Sequence, residues 1–488
     1  MPSVSAAFLR RHVTWICASV SALGLCASIA HADWNNAGGN AGRNGRTSAI
    51  GPASAAERWS GGASSIIAWQ PVIEGNRLFV VRQTGFPPSG EPNGSRIYAY
   101  DLTTGATLWP AVNIPFNTGD WTTWIAGVNN GRLYASRSGN GASVSAKMHC
   151  LDAATGAEIW QSVETTNAGA YDGVVFASNG DLIIGSFTYI KRIRAVDGST
   201  AWTAPRVGSV SGNCGVAINE AANAVYAADA VVGGHAIKRF NLTTGAFQYQ
   251  GPVMAGFTLQ QSPTVSPDGT IYLARTQNNP ATDFLYAFND TGSAITTRWS
   301  VASGWCTSSE FGVGDDGSIY MRAVGNIIER RAASDGSLID FSAPLTVDAN
   351  NSTWRFAIDG EGKVFVSNGS FANGRLYAFD ADLTPRWDVP IANINIGGPA
   401  IGSDGTLVVV GNGTQIKAYY TPPQSDCAAD INNDNLVDVN DLLSVISTWG
   451  ACANPNNCPA DVAPPPSGDD MVDVNDLLAV ITTWGKCP

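Results

Sequence analysis

The chain has 488 residues, 44% of them hydrophobic and 14% charged, with 53 glycines and a net charge of −12. That balance argues against nucleic acid, because no basic patch accompanies it, and beyond the N-terminal leader no apolar run approaches the roughly 20 residues of a membrane span. The acidity is local: residues 426–488 hold ten Asp and one Lys, a net −9, which leaves only −3 for everything before them.

In chain order, Arg10 and Arg11 precede an apolar run from Val13 to Ala30 that ends in Ala30-His31-Ala32. This is the pattern of a secretory signal, so residues 1–32 are expected to be removed and the chain to be secreted, whether outside the cell, at its surface or in a periplasm. Val, Ile, Thr, Tyr and Trp then recur in short runs cut by Asn-Gly, Asp-Gly and Thr-Gly, which predicts an all-β chain.

One unit repeats through residues 60–420. Its clearest copies read IYAYDLTTGATLW at 97–109 and MHCLDAATGAEIW at 148–160, and weaker copies end at Trp202, Tyr249, Trp299, Asp340 and Trp387. Each predicts a strand, a tight Asp-x-x-Thr-Gly turn and a strand ending in an aromatic, preceded by two strands joined at a turn such as Pro267-Asp268-Gly269. Four strands make one propeller blade. The last copy stops at Tyr419 before its aromatic strand, while Glu57-Arg58-Trp59 matches Pro385-Arg386-Trp387 and stands ahead of the first full blade. The N-terminal strand is therefore expected to close a ring of eight blades, or of seven if the weak copy near Asp335-Gly336 is not one.

These repeats resemble those of pyrroloquinoline quinone (PQQ) dehydrogenases and of a related cofactor-free outer-membrane assembly lipoprotein, over residues 33–420. The resemblance implies a PQQ-like β-propeller. In the quinone enzymes two adjacent cysteines usually face the cofactor, and this chain has no Cys-Cys pair and only four histidines, so PQQ is not expected. A binding or scaffold role is the first expectation for the propeller. The alternative is a polysaccharide lyase or glycoside hydrolase, with Asp172 and Glu310 as the candidate carboxylates. Loops entering the innermost strands carry these two with Trp124, Tyr171, Gln261 and Arg355, a set suited to a sugar funnel if they converge on one mouth of the channel.

A linker at residues 421–425 leads into a second module, 426–488. VDVNDLLSVISTWG at 437–450 and VDVNDLLAVITTWG at 472–485 agree at twelve of fourteen positions. Counting back from Asp441 puts Asp430, Asn432, Asp434, Leu436 and Asp438 at positions 1, 3, 5, 7 and 9 of a 12-residue loop with Asp441 at 12, the spacing of an EF-hand calcium loop in which Leu436 offers its carbonyl. In the second copy four residues are inserted, so Asp461 is expected to reach in beside Asp469, Met471, Asp473 and Asp476. Two calcium ions are expected. The helix after the first loop is expected to carry Leu442, Val445, Ile446 and Trp449 on one face.

A loop and a helix, duplicated at the end of a secreted chain, resemble a type I dockerin. That resemblance implies a cohesin-like partner read by positions 10 and 11, here Val439-Asn440 and Val474-Asn475, and in turn a role in polysaccharide breakdown. Of the seven cysteines after the leader, Cys427, Cys452, Cys458 and Cys487 cluster here and are expected to form two disulfides, with three pairings open and Cys150 the simplest odd thiol.

Overall fold

The computed structural model describes residues 34–85, 94–115, 120–139, 146–166, 173–207, 215–254, 262–275, 284–302, 311–348, 354–394, 396–422, 427–452, 458–463 and 468–487. Eight four-stranded antiparallel sheets form the blades of a propeller. Seven are continuous in sequence, beginning at Val72, Asp120, Val175, Ala217, Thr264, Gly312 and Arg355. The weak copy around Gly336 is the sixth of these, with strands from Gly312 to Phe341. The eighth takes Ala400–Ile401, Leu407–Val410 and Ile416–Tyr419 from the end of the propeller and Glu57–Gly61 from its start, with Trp59 opposite Ala418 and Gly61 opposite Ile416. Among the described residues no helix is long and apolar enough to cross a membrane.

Burial explains the mixed sequence pattern. Second strands such as Leu407–Val410 and Val364–Ser367 are buried at every residue because neighbouring blades cover both faces, so they read as unbroken apolar runs. Outer strands such as Pro385–Pro390 meet water and are mostly exposed. Cys150 lies in the core of the second blade as a free, buried cysteine, and burial pushes its thiol up to about 12. It is protonated and unreactive at neutral pH.

The aromatic that ends a blade locks onto the turn of the next. Trp59, Trp109, Trp160, Trp202 and Trp299 donate their Nε1 protons to the carbonyls of Leu102, Ala153, Ala195, Leu242 and Ala333, at 2.8, 3.3, 3.0, 3.1 and 2.9 Å. Where the tryptophan is missing, other donors take over. In the fourth blade Tyr249 gives its hydroxyl proton to Asp290 at 2.5 Å, and in the sixth, where Asp340 stands, Tyr320 and Arg330 reach the Ala381 carbonyl at 2.7 and 3.1 Å. Trp387 abuts the blade whose outer strand comes from the chain's start, so no equivalent turn faces it, and its Nε1 is buried with no partner among the described residues.

Gly245 combines both demands of the seam, a φ of +73° and a Cβ position only 2.5 Å from the Trp202 ring, whereas Gly292 has a φ of +84° with nothing within 4 Å. Gly245→Ala is expected to cost about 2–4 kcal/mol from overpacking plus left-handed strain, and Gly292→Ala about 1 kcal/mol from strain alone. Denaturant midpoints of the two variants check this, and equal losses would rule out the ring contact as the cause.

The channel is occupied by the protein's own N-terminal segment. From Trp34 onward the chain runs past one blade after another, and its carbonyls accept the inner-edge amides that a propeller otherwise leaves open. Trp34 pairs with Ile73; the amides of Val128, Ile218, Val265, Val313 and Ile358 donate to the carbonyls of Asn35, Ala41, Gly42, Asn44 and Gly45 at 2.9, 3.1, 2.7, 3.0 and 2.6 Å. Asn36 covers the third blade by donating to the Val174 carbonyl at 2.9 Å. Buried Arg43 ties the segment to itself and to two blades through the carbonyls of Ala37, Val216 and Gly173.

Candidate functional site

Of the funnel residues expected from sequence, Tyr171, Asp172, Gln261 and Glu310 lie outside the described residues. Trp124 and Arg355 are packed rather than presented: they are 1% and 2% exposed, and Arg355 donates to the Gln70 side chain. Trp124 lines a void of about 20 Å³ with Trp69, Gln70 and Ala37, just enough for one water-sized molecule. The larger cavity, about 620 Å³, lies at the other end of the channel, where turns after the innermost strands bring Asn129, Asn130, Ser178 and Glu220 around residues 39–49. Its charges are engaged locally, Arg46 with Asp315 and Glu220 with the Ser178 amide. Sequence reasoning missed this bowl, because its floor is the channel segment.

The C-terminal module repeats one arrangement twice. In the first copy Asp430 accepts the amides of Asp434 and Asn435 at 3.1 and 2.8 Å; in the second Asp461 accepts those of Asp469 and Asp470 at 3.0 and 2.8 Å. Asp441 accepts the amides of Ile431, Asn432 and Asp438, and Asp476 those of Val462, Ala463 and Asp473. Asp461 thus stands where Asp430 stands, across the insertion. Asn435 and Asp470, at position 6, turn the loop with φ of +68° and +69°, a conformation that Asn and Asp tolerate better than other side chains.

Asp434 and Asp469 accept the Leu436 and Met471 amides, and Asp438 and Asp473 cap the helices that follow, α1 (Val439–Ser447) and α2 (Val474–Thr482). The equivalence also exposes a difference. Ala463 occupies the place of Asn432 after position 1, so among the described residues the second loop has no side-chain oxygen there.

The described residues of both loops offer hard oxygen donors, from carboxylates and backbone carbonyls and, in the first loop, the Asn432 amide, and these fit calcium better than a softer metal. Asp441 and Asp476 are fully buried, and among the described residues no Lys or Arg pairs with them. Lys486 is the only basic residue after position 426. Each of the loop carboxylates Asp430, Asp441, Asp461 and Asp476 is held by amides of its own loop. The one group of three potential ligand atoms within 4.8 Å among the described residues is Cys452, Cys458 and Asp461, and its two sulphurs are bonded to each other.

The buried aspartate sets each helix's rotation, and this corrects the expected face. At 100° per residue Val439, Leu443 and Ile446 fall opposite Asp441. Val445 is fully buried and Leu442 packs on the core, but Ile446 and Trp449 are each 53% exposed, beside Val439 at 53% and Leu443 at 55%. The second helix repeats this with Val474, Leu478, Ile481 and Trp484 at 50–53%. Asn440 and Asn475 are exposed at the head of each stripe. Periodicity could not choose between the faces, since both carry aliphatic residues.

Two short pairings cross the copies, Leu436–Val437 with Gly485–Lys486 and Gly450–Ala451 with Met471–Val472, giving the module an approximate twofold. Disulfides join Cys427 to Cys487 and Cys452 to Cys458.

Known structures share the propeller. Quinohemoprotein alcohol dehydrogenase from Comamonas testosteroni is 13% identical with a TM-score of 0.53, covering 92% of this chain and 95% of its own. The quinohemoprotein alcohol dehydrogenase ADHIIG of Pseudomonas putida HK5 is 12% identical with a TM-score of 0.56 over 80% of each chain. The C-terminal WD40 domain of Sif2 is also 12% identical, with a TM-score of 0.53 over 76% of this chain and 99% of its own. At such identities the likeness is one of fold. No protein of curated description matches the chain. The family model PQQ_2, described as outer membrane protein assembly factor BamB, matches residues 93–339, just over half of the sequence, and the chain therefore belongs to that PQQ-like propeller family.

Proposed function

We propose that this protein is a secreted, non-catalytic propeller that is attached to a larger assembly through its C-terminal module, which binds two calcium ions and docks a cohesin-like partner. The observation that carries the reading is the duplication of the loop. At position 1, position 12 and the helix cap an aspartate accepts the equivalent backbone amides in both copies, although an insertion lengthens the second loop. Two fully buried aspartates with no cationic side chain paired to them among the described residues suit a loop that takes up a cation.

The docking part rests on the apolar stripes. A small module that leaves six aliphatic side chains half exposed on two related helices, and Trp449 and Trp484 half exposed just past their ends, offers a patch of the kind that partners cover. A polysaccharide-degrading assembly is the proposed setting, through the cohesin-type partner alone.

The test is calorimetry on the chain from Asp33 to Pro488, titrated with calcium chloride and with magnesium chloride, followed by capture on immobilised cohesin modules. Uptake of two calcium ions and calcium-dependent capture lost in Leu443→Glu/Leu478→Glu are expected. No calcium uptake at millimolar concentration overturns the reading.

A further inference from the structure

We infer that each disulfide of the C-terminal module is a redox latch on the cation loop it touches, so that reduction by a dithiol weakens that loop's hold on calcium. This rests on the calcium reading above and adds a control to it.

The geometry is the same at both loops. Cys487 lies with Sγ 3.7 Å from Asp430 Oδ2, and Cys452 lies with Sγ 3.7 Å from Asp461 Oδ2. The backbone of the same two cysteines holds the far side of the loop, Cys487 donating to the position-6 carbonyl of Asn435 at 3.1 Å and Cys452 to that of Asp470 at 2.9 Å. Their partners hold the near side: the amides of Asp430 and Asp461 donate to the Cys427 and Cys458 carbonyls at 2.9 and 3.1 Å. Each cystine therefore bridges the residue three places ahead of position 1 to the strand that grips position 6. The first closes a span of 60 residues and the second only 6, yet both arrive at the same contacts.

This matters because the apolar core beneath the loops is small. Among the described residues the module's fully buried apolar core is Ala429, Val437, Val445, Ala460, Val472, Val480 and Cys487, with Ile431, Leu442 and Leu477 packed against it. With so small a core, the covalent bridge supplies much of the constraint that keeps the position-1 carboxylate aimed inward. Reduction breaks one S–S bond and forms two cysteine thiols, while the dithiol gives up two electrons and two protons and becomes its own disulfide. The position-1 aspartate then keeps its charge and loses its anchor. Linkage requires the reverse as well, so bound calcium must shift the thiol–disulfide equilibrium towards disulfide by the same factor.

The experiment uses the whole secreted chain. Calcium titration is compared before and after dithiothreitol, with a drop in affinity of about tenfold or more expected, the range seen when groups that orient metal ligands are lost. The double variant Cys427→Ala/Cys487→Ala is expected to weaken one site and Cys452→Ala/Cys458→Ala the other. Should either variant fail to fold, a second measurement needs no substitution: the wild-type chain is equilibrated in graded dithiothreitol buffers with and without calcium, and thiols at the four cysteines are mapped by alkylation and mass spectrometry. Calcium is expected to raise the dithiol needed for half-reduction. Affinity unchanged on reduction, with half-reduction indifferent to calcium, overturns the latch while leaving the calcium sites standing. No calcium uptake by the oxidised chain overturns the calcium reading itself.

Discussion

A chain that begins at Gly62 instead of Asp33 is expected to form no monomeric propeller, and to appear in the aggregate fraction of a size-exclusion run. Two losses combine. The eighth blade loses Glu57–Gly61, leaving Ile416–Tyr419 as an open apolar edge beside Trp387. The channel loses its filling as well, and the inner-edge amides of Ile73, Val128, Ile218, Val265, Val313 and Ile358 lose their acceptors. At up to about 1 kcal/mol for each such bond, and less where water entering the emptied channel replaces the acceptor, this loss lowers stability without by itself exceeding the roughly 5–15 kcal/mol of an ordinary domain. A chain beginning at Pro52 separates the two effects, since it keeps the closing strand and removes the channel segment. It is expected to stay monomeric and to melt at a lower temperature. A chain starting at Gly62 that remains monomeric and melts like the full one would show that neither contact matters.

Asp441→Ala is expected to abolish calcium uptake at the first loop, with affinity falling more than about a hundredfold, beyond the usual effect of groups that only orient ligands. The carboxylate holds three roles at once. It supplies position 12, it accepts the amides of Ile431, Asn432 and Asp438, and it closes the capping box of α1. Leaving those amides without an acceptor costs about 1–3 kcal/mol for each that stays dry, so the loop should loosen even without metal. Asp476→Ala should act likewise on the second loop but from a weaker start, because Ala463 provides no side-chain oxygen where the first loop has Asn432. Titration of the two variants therefore leaves unequal residual sites, the tighter one in Asp476→Ala. Two equal residual affinities would show that the Asn432 side chain gives the first loop no advantage.

The propeller was legible in sequence because each blade is built locally. A strand, a turn whose glycine needs positive φ and an aromatic at the blade's end recur in fixed order, while the copy in which Asp340 replaces the tryptophan left seven blades open until its four strands were seen. The closing strand was legible too, since Glu57-Arg58-Trp59 repeats Pro385-Arg386-Trp387. The acidic loop pattern likewise survives in linear order, with Asp461 taking the place of Asp430 across an insertion. What only the tertiary structure decided involves residues far apart in the chain or faces with equal chemistry. The Asn- and Gly-rich segment after Trp34 carries no periodicity, and its place in the channel follows from unpaired amides contributed by blades as distant as Ile358. The pairing of four cysteines depended on which ends meet. The outward face of α1 depended on Asp441, whose burial turns Ile446 and Trp449 to solvent although an apolar stripe could equally have packed either way.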